Sequence, residues 1–71
     1  MKIGDEVLYT LEYGPCQGQQ RPAKVVHVYP DTSTVDLCVF TRGHADGYPT
    51  ASTALGVVPG SQTGNYQVYS A

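Results

Sequence analysis

Apolar and polar residues alternate in five short segments of the chain, a pattern typical of β-strands with one buried face. In the first segment Val7, Tyr9 and Leu11 fall on the same side. The alternation predicts strands over residues 6–11, 23–29, 34–41, 52–58 and 65–69. No segment has the 3.6-residue periodicity of a helix, and the sequence predicts at most a 3₁₀ turn over residues 61–64. We therefore expect an all-β protein.

The second and third segments predict a β-hairpin. Val35, Leu37 and Val39 alternate with more polar positions and are expected to share the buried face. The partner segment contains a nearly continuous β-branched run over residues 25–28, which predicts a strand at least partly covered on both faces. A tight turn over residues 30–33 joins the two, because proline is placed to start it.

Five short strands in a chain of 71 residues are too few for a useful two-sheet sandwich, but they can form a small bent barrel. The fourth strand is the weakest, with Leu55 and Val57 as its expected apolar anchors. The order is strand, long loop, hairpin, loop, strand, short turn and strand. It predicts a small five-stranded SH3-like barrel that forms one domain over residues 1–71.

Charged residues are sparse, which narrows the range of partners. Four basic and six acidic residues give a net charge of −2, and the basic residues are scattered. This balance argues against binding nucleic acid through its phosphates. A domain this small has a marginal core, so self-association is an expected source of stability.

The two cysteines, Cys16 and Cys38, are too few for a disulfide framework and are expected to be reduced thiols. No apolar stretch approaches the roughly 20 residues that a membrane span needs. The N-terminus carries acidic residues early and has no apolar signal core. These features predict a cytoplasmic protein with no membrane partner.

Several short motifs resemble those of short bacteriophage-encoded proteins with an SH3-like barrel. The resemblance is carried by Arg21-Pro22-Ala23-Lys24-Val25-Val26, Val35-Asp36-Leu37-Cys38-Val39-Phe40-Thr41, Asp46-Gly47, Val58-Pro59 and Gly64-Asn65-Tyr66. It implies a phage origin and a barrel fold, and it assigns no site residues. A phage origin implies the host cytoplasm as the location, with the virion as the alternative.

Catalytic and metal-binding patterns do not emerge from the sequence. The histidines, cysteines and acidic residues lack standard ligand spacing, and no nucleophile has a base and an orienting partner nearby in sequence. Asp5 and Glu6 are adjacent at a strand start, where their side chains point to opposite faces. We therefore expect no enzyme activity, no metal and no cofactor.

The candidate binding residues lie in and beside two glycine-bearing loops, predicted over residues 13–22 and 42–49. Tyr13 and Tyr48 flank these loops and offer stacking faces at low entropic cost. Arg21 and Arg42 can bind a carboxylate or phosphate with two hydrogen bonds, or can pair with Asp36 or Asp46 at the surface. The full predicted site comprises Tyr13, Gln19, Arg21, Arg42, His44, Asp46 and Tyr48.

Three functional hypotheses follow. The first is a protein-interaction module that self-assembles, decorates a virion or binds a host factor, including a host defence protein. The second is a small protein that sequesters an anionic ligand such as a nucleotide signal, using Arg21, Arg42 and the backbone amides of residues 43–47. The third is a nucleic-acid-binding barrel, which the negative charge disfavours.

Overall fold

The computed structural model describes residues 1–30 and 33–68, which form one antiparallel sheet of five strands. The elements are β1 (Glu6–Thr10), β2 (Gln20–Val28), β3 (Val35–Phe40), a 3₁₀ helix (Gly43–Asp46), β4 (Ala51–Val57) and β5 (Tyr66–Val68). The spatial order is β4-β3-β2-β1-β5. The prediction of an all-β fold with five strands is confirmed. The predicted turn at Asp31 and Thr32 and the predicted strand end at Tyr69 lie outside the described residues.

One face of the sheet carries the core, as the alternation of the sequence predicts. On β3 every second residue is buried, beginning with Val35, because successive side chains of a strand point to opposite faces. The side chain of Leu37 at the centre of this strand is fully buried. The core comprises Val7, Tyr9, Leu11, Ala23, Val25, Val35, Leu37, Val39, Tyr48, Val57 and Tyr66.

Two irregularities in strand pairing break the expected alternation. The register of β2 against β3 shifts between Val25 and His27, which leaves Val26 and His27 exposed. The expectation that both faces of residues 25–28 are at least partly covered is therefore wrong at Val26 and His27. A second shift inserts an extra residue into β4 near Gly56, whose φ is 63°. Leu55 is consequently 71% exposed, so the prediction that it anchors β4 in the core is also wrong.

The 3₁₀ helix lies in a different loop from the one predicted. Residues 61–64 make a turn, closed by the Asn65 N–H donating to the Gln62 carbonyl at 3.1 Å. The helix instead forms over Gly43–Asp46 and ends at Gly47, which has a φ of 75°. Glycine adopts this left-handed conformation at low cost, so the Asp46-Gly47 pair marks a helix end rather than an isolated turn.

Within the described residues, the two outer strands of the sheet are linked by hydrogen bonds at one end. The Tyr66 N–H donates to the Val58 carbonyl at 3.2 Å, and the Gly60 N–H donates to the Tyr66 carbonyl at 3.0 Å. These bonds connect the chain just after β4 with the start of β5. Within the described residues, β4 itself pairs with β3 alone, so its other edge is open.

The different burial of two leucines predicts different costs of truncation. Leu37→Ala should reduce the free energy of unfolding by about 2–5 kcal/mol, because it leaves a cavity in the core. Leu55→Ala should change it by less than about 0.5 kcal/mol, because the side chain is already solvated. Urea unfolding of both variants checks the difference. Equal losses would contradict the assignment of Leu55 to the surface.

Candidate binding site

The two glycine-bearing loops lie side by side, at the ends of β1 and β3. We call residues 11–19 the first loop and residues 41–50 the second loop. Gly14 packs so closely on the second loop that a Cβ atom at this position would overlap the carbonyl oxygen of Asp46. Gly47 also lies near the first loop, although less closely, since a Cβ there would be 3.3 Å from the Pro15 ring. Glycine at positions 14 and 47 therefore permits the contact between the loops.

Asp46 holds this contact in place through a fully buried carboxylate. The Arg21 Nε–H donates to Oδ2 and the Arg21 Nη2–H donates to Oδ1, both at 2.8 Å. The Arg42 backbone N–H donates to Oδ2 at 2.7 Å and the Arg42 Nε–H to Oδ1 at 3.1 Å. Four donors match the acceptor capacity of a carboxylate, so the buried charge is fully satisfied.

The same two arginines extend the network to the first loop. Arg21 also donates to the Gln20 carbonyl at 2.8 Å and to Oε1 of Gln19 at 3.1 Å. Arg42 donates from Nη2 to the Cys16 sulfur at 3.2 Å. The network therefore joins β2, the first loop and the second loop around one carboxylate.

The electrostatic consequence is a strongly stabilised Asp46 anion. Hydrogen bonds from Arg21 lower the pKa of Asp46 well below its usual range, burial opposes this shift, and the Arg42 bonds add to it. The hydrogen bond to Asp46 also raises the pKa of Arg21. Because the folded-state pKa of Asp46 is depressed, its contribution to stability is present above the unfolded-state pKa of about 4 and is lost as the pH falls below it.

Tyr48, in the second loop, holds the first loop in position through contacts of its side chain. Its side chain is buried, and its hydroxyl oxygen accepts hydrogen bonds from the backbone N–H groups of Glu12 at 3.0 Å and Tyr13 at 3.2 Å. The Tyr13 ring stacks on the Tyr48 ring with a centroid distance of 4.1 Å and an interplanar angle of 11°. Tyr13 stays 53% exposed and is thus an aromatic platform with a fixed orientation.

A cleft of about 370 Å³ opens beside this platform. Residues 52–57 of β4 line it, together with Tyr9, Glu12 and Tyr13 from β1 and the first loop; Val39, Tyr48 and Gly64 complete the lining. The volume lies within the range of small-ligand and side-chain pockets. The open edge of β4 borders this cleft.

Glu12 supplies the formal charge of the cleft, since the other lining residues are neutral tyrosines, small polar residues and apolar residues. Its carboxylate lies against Gly64, where a Cβ atom would be 3.4 Å from Oε1. Burial raises the pKa of Tyr9 to about 12, and the negative charge of Glu12 contributes to the shift. Tyr9 is therefore protonated and neutral at physiological pH.

The predicted site residues divide into three groups in the structure. Tyr13 and Tyr48 line the cleft, although Tyr48 is buried and acts mainly by holding the first loop. Asp46 and Arg21 are absorbed in the internal network, and Gln19 bonds to Arg21. Two further residues stay accessible: Arg42, with a side chain that is 60% exposed, and His44 in the 3₁₀ helix.

Sequence reasoning missed much of the cleft. Glu12 lies two residues after the end of β1, and its charge next to Tyr13 is the signal that the sequence offers. The alternation in the first segment places Tyr9 on the same side as Val7 and Leu11; its side chain is buried, and it also contributes to the cleft. The contribution of β4 depends on its place at the sheet edge, which only the pairing of strands reveals.

Comparison with known proteins gives no relative for this chain: no family model, curated protein or solved structure matches it. Across residues 1–30 and 33–68, no three histidine, cysteine or acidic side chains are grouped so as to hold a metal ion. In the same residues, no helix has the length and apolar character needed to cross a membrane. Cys16 and Cys38 are both free thiols.

Two glycines with the same φ angle allow the cost of backbone strain to be measured separately from the cost of a steric clash between the two loops. Gly14 and Gly18 both have a φ of 92°, but only Gly14 lies against the second loop. Gly18→Ala should cost about 1 kcal/mol of unfolding free energy from backbone strain alone. Gly14→Ala should cost at least about 2 kcal/mol more, because the loops must separate. Urea unfolding measures both variants, and equal costs would contradict the packing of the two loops.

The charge of Asp46 predicts a pH-dependent stability difference. Asp46→Asn removes the charge and half of the acceptor capacity, so the melting temperature at pH 7 should fall by at least about 10 °C. The gap between wild type and variant should narrow below about pH 4, where the unfolded state takes up a proton at this position in the wild type.

Thermal melts at neutral and acidic pH measure the effect of Asp46→Asn. Asp5→Asn is the matched control, because the Asp5 carboxylate lies in an exposed turn, where it accepts a hydrogen bond from the nearby Lys2 N–H. A constant gap between wild type and Asp46→Asn at all pH values would show that the charge of Asp46 is not the source of its effect.

Proposed function

We propose that the protein is a non-enzymatic binding module, and that an extended segment of another protein adds to the open edge of β4 above the cleft. The observation that carries this proposal is the combination of an open strand edge and an adjoining cleft of about 370 Å³. Strand addition uses the backbone edge for affinity and the neighbouring pockets for specificity. β4 and the cleft supply these two components together.

The edge of β4 has backbone groups directed outward. The Thr41 N–H donates to the Thr50 carbonyl at 3.2 Å, which fixes Thr50, and by alternation Ser52, as residues that bond β3. The alternate residues Ala51 and Thr53 therefore direct their N–H and C=O groups away from β3. An added strand would pair with these groups.

The cleft suits the side chains of such a strand. Ser52 and Ala54 oppose the buried Val39 and Leu37 in the register of β3 and β4, so they face the inner side of the sheet and line the cleft. Every second side chain of an extended segment beside β4 would point the same way. One of these side chains would enter the cleft and meet the Tyr13 platform.

The anionic-ligand hypothesis gains no support from this arrangement. Arg21 and Arg42 bond to Asp46, and neither lines the cleft. The formal charge within the cleft is the carboxylate of Glu12, which repels an anion. Binding to nucleic-acid phosphates has the same difficulty, in addition to the net charge of −2.

The proposed architecture around this site is an SH3-like barrel. Its support is the antiparallel order β4-β3-β2-β1-β5 and the hydrogen bonds that link residues 58–60 to Tyr66, which bring the two outer strands together at one end. Under the resemblance to phage-encoded proteins, the candidate partners are host proteins and other virion proteins, met in the host cytoplasm or in the particle.

Substitution of Thr53 tests the role of the edge. Thr53→Pro removes an outward N–H, and proline is tolerated on edge strands. Peptides selected on the wild-type protein from a library of random linear peptides should bind this variant about tenfold more weakly. Thr53→Ala is the matched control, because it changes the side chain and keeps the N–H; its affinity should stay close to that of the wild type.

Isothermal titration calorimetry gives the affinities, and circular dichroism verifies that both Thr53 variants fold. If no peptide is selected, or if the selected peptides bind Thr53→Pro as tightly as the wild type, the proposal fails. A mass in solution that doubles in the wild type and reverts to the monomer in Thr53→Pro would identify the added strand as β4 of a second copy.

A further inference from the structure

We infer that the side chain which enters the cleft is cationic, so that the preferred partner segment carries a lysine or arginine beside the strand that pairs with β4. This inference rests on the proposed function and adds the chemistry of the partner. Its basis is the juxtaposition of the Glu12 carboxylate and the Tyr13 ring in one cleft.

The Glu12 carboxylate interacts with the Tyr9 hydroxyl and keeps acceptor capacity for a partner. Among residues 1–30 and 33–68 it forms no ion pair, and both arginines are bonded to Asp46. Its backbone N–H bonds to the Tyr48 hydroxyl, which fixes the chain at this point and keeps the side chain at the cleft. A partner cation would thus meet a carboxylate that projects from a fixed backbone position.

The tyrosines add a second attraction for a cation. The π face of an aromatic ring attracts an ammonium or guanidinium group within about 6 Å of its centroid. Tyr13 is half exposed beside the cleft, and its stacking on Tyr48 holds the ring in one orientation. The apolar stem of a lysine or arginine would pack against the small side chains of β4 while its charged end reaches Glu12.

A second copy of the chain does not supply this cation at the edge of β4. Residues 51–57 contain no charged side chain, so pairing of β4 with its own copy would place only neutral residues in the cleft. Charge complementarity therefore favours a different protein as the partner.

A pair of matched peptides tests the inference. The probe is a lysine- or arginine-containing peptide selected from the random library, together with the same peptide in which norleucine replaces the basic residue and keeps the apolar stem. The norleucine peptide should bind the wild-type protein about fivefold more weakly. Against Glu12→Gln the two peptides should differ by less than about twofold, because the carboxylate charge is gone.

Two further variants distinguish the attraction of a cation to the π face of Tyr13 from apolar contact with this side chain. Tyr13→Phe keeps the stacking face and should retain the preference for the basic peptide, whereas Tyr13→Leu should reduce it. Raising the salt concentration should weaken the basic peptide and leave the norleucine peptide nearly unchanged. Nuclear magnetic resonance spectra of each variant verify that the fold is intact.

The outcomes distinguish this inference from the proposed function. If the selected peptides lack basic residues, or if norleucine substitution leaves the affinity unchanged while Thr53→Pro still weakens binding, the edge binds peptides but the cation preference is wrong. If no peptide is selected at all, the proposed function and this inference fall together.

Discussion

The carboxylate of Asp46, buried and bound by two arginines, is the interaction on which the site depends. It ties the second loop to β2 through Arg21, and its neighbour in the network, Arg42, reaches the first loop at Cys16. Tyr48, two residues further along, then holds the backbone at Glu12 and Tyr13. The shape of the cleft therefore depends on the ion pairs of Asp46 with the two arginines, although none of these residues lines the cleft.

Burying a charge between two loops costs free energy, because the loss of its hydration must be offset by well-placed hydrogen-bond donors. Here four hydrogen bonds provide that compensation, and the directionality of two arginines fixes the loops more narrowly than apolar packing of small loops would. The arrangement also changes the surface. Half of the four basic residues of the chain serve one internal carboxylate, which leaves Glu12 as the charged group of the cleft.

The strands follow from the sequence because alternation over β1 and β3 reports directly on burial, as Val7 and Leu37 show. Prediction fails where the pleat is interrupted, because the bulge at Gly56 turns Leu55 outward. It also fails at the start of β2, which begins at Gln20 rather than at the predicted residue 23. For the candidate site, the sequence predicted seven residues in and beside two loops, of which Tyr13 and Tyr48 line the cleft. The burial of Asp46 and the contribution of Glu12 arise from long-range contacts, which local spacing does not encode.

The two outer strands differ in a way that bears on function. Up to the last described residue, Val68, β5 comprises three residues, and short edge strands are one means by which proteins avoid unwanted pairing. β4 has seven residues and, in ASTALGV, neither a charge nor a proline; its bulge at Gly56 protects only its far end. An unpaired edge without these features is the kind of edge that readily pairs with another chain. The asymmetry of the two edges therefore favours β4 as the binding strand, independently of the chemistry of the cleft.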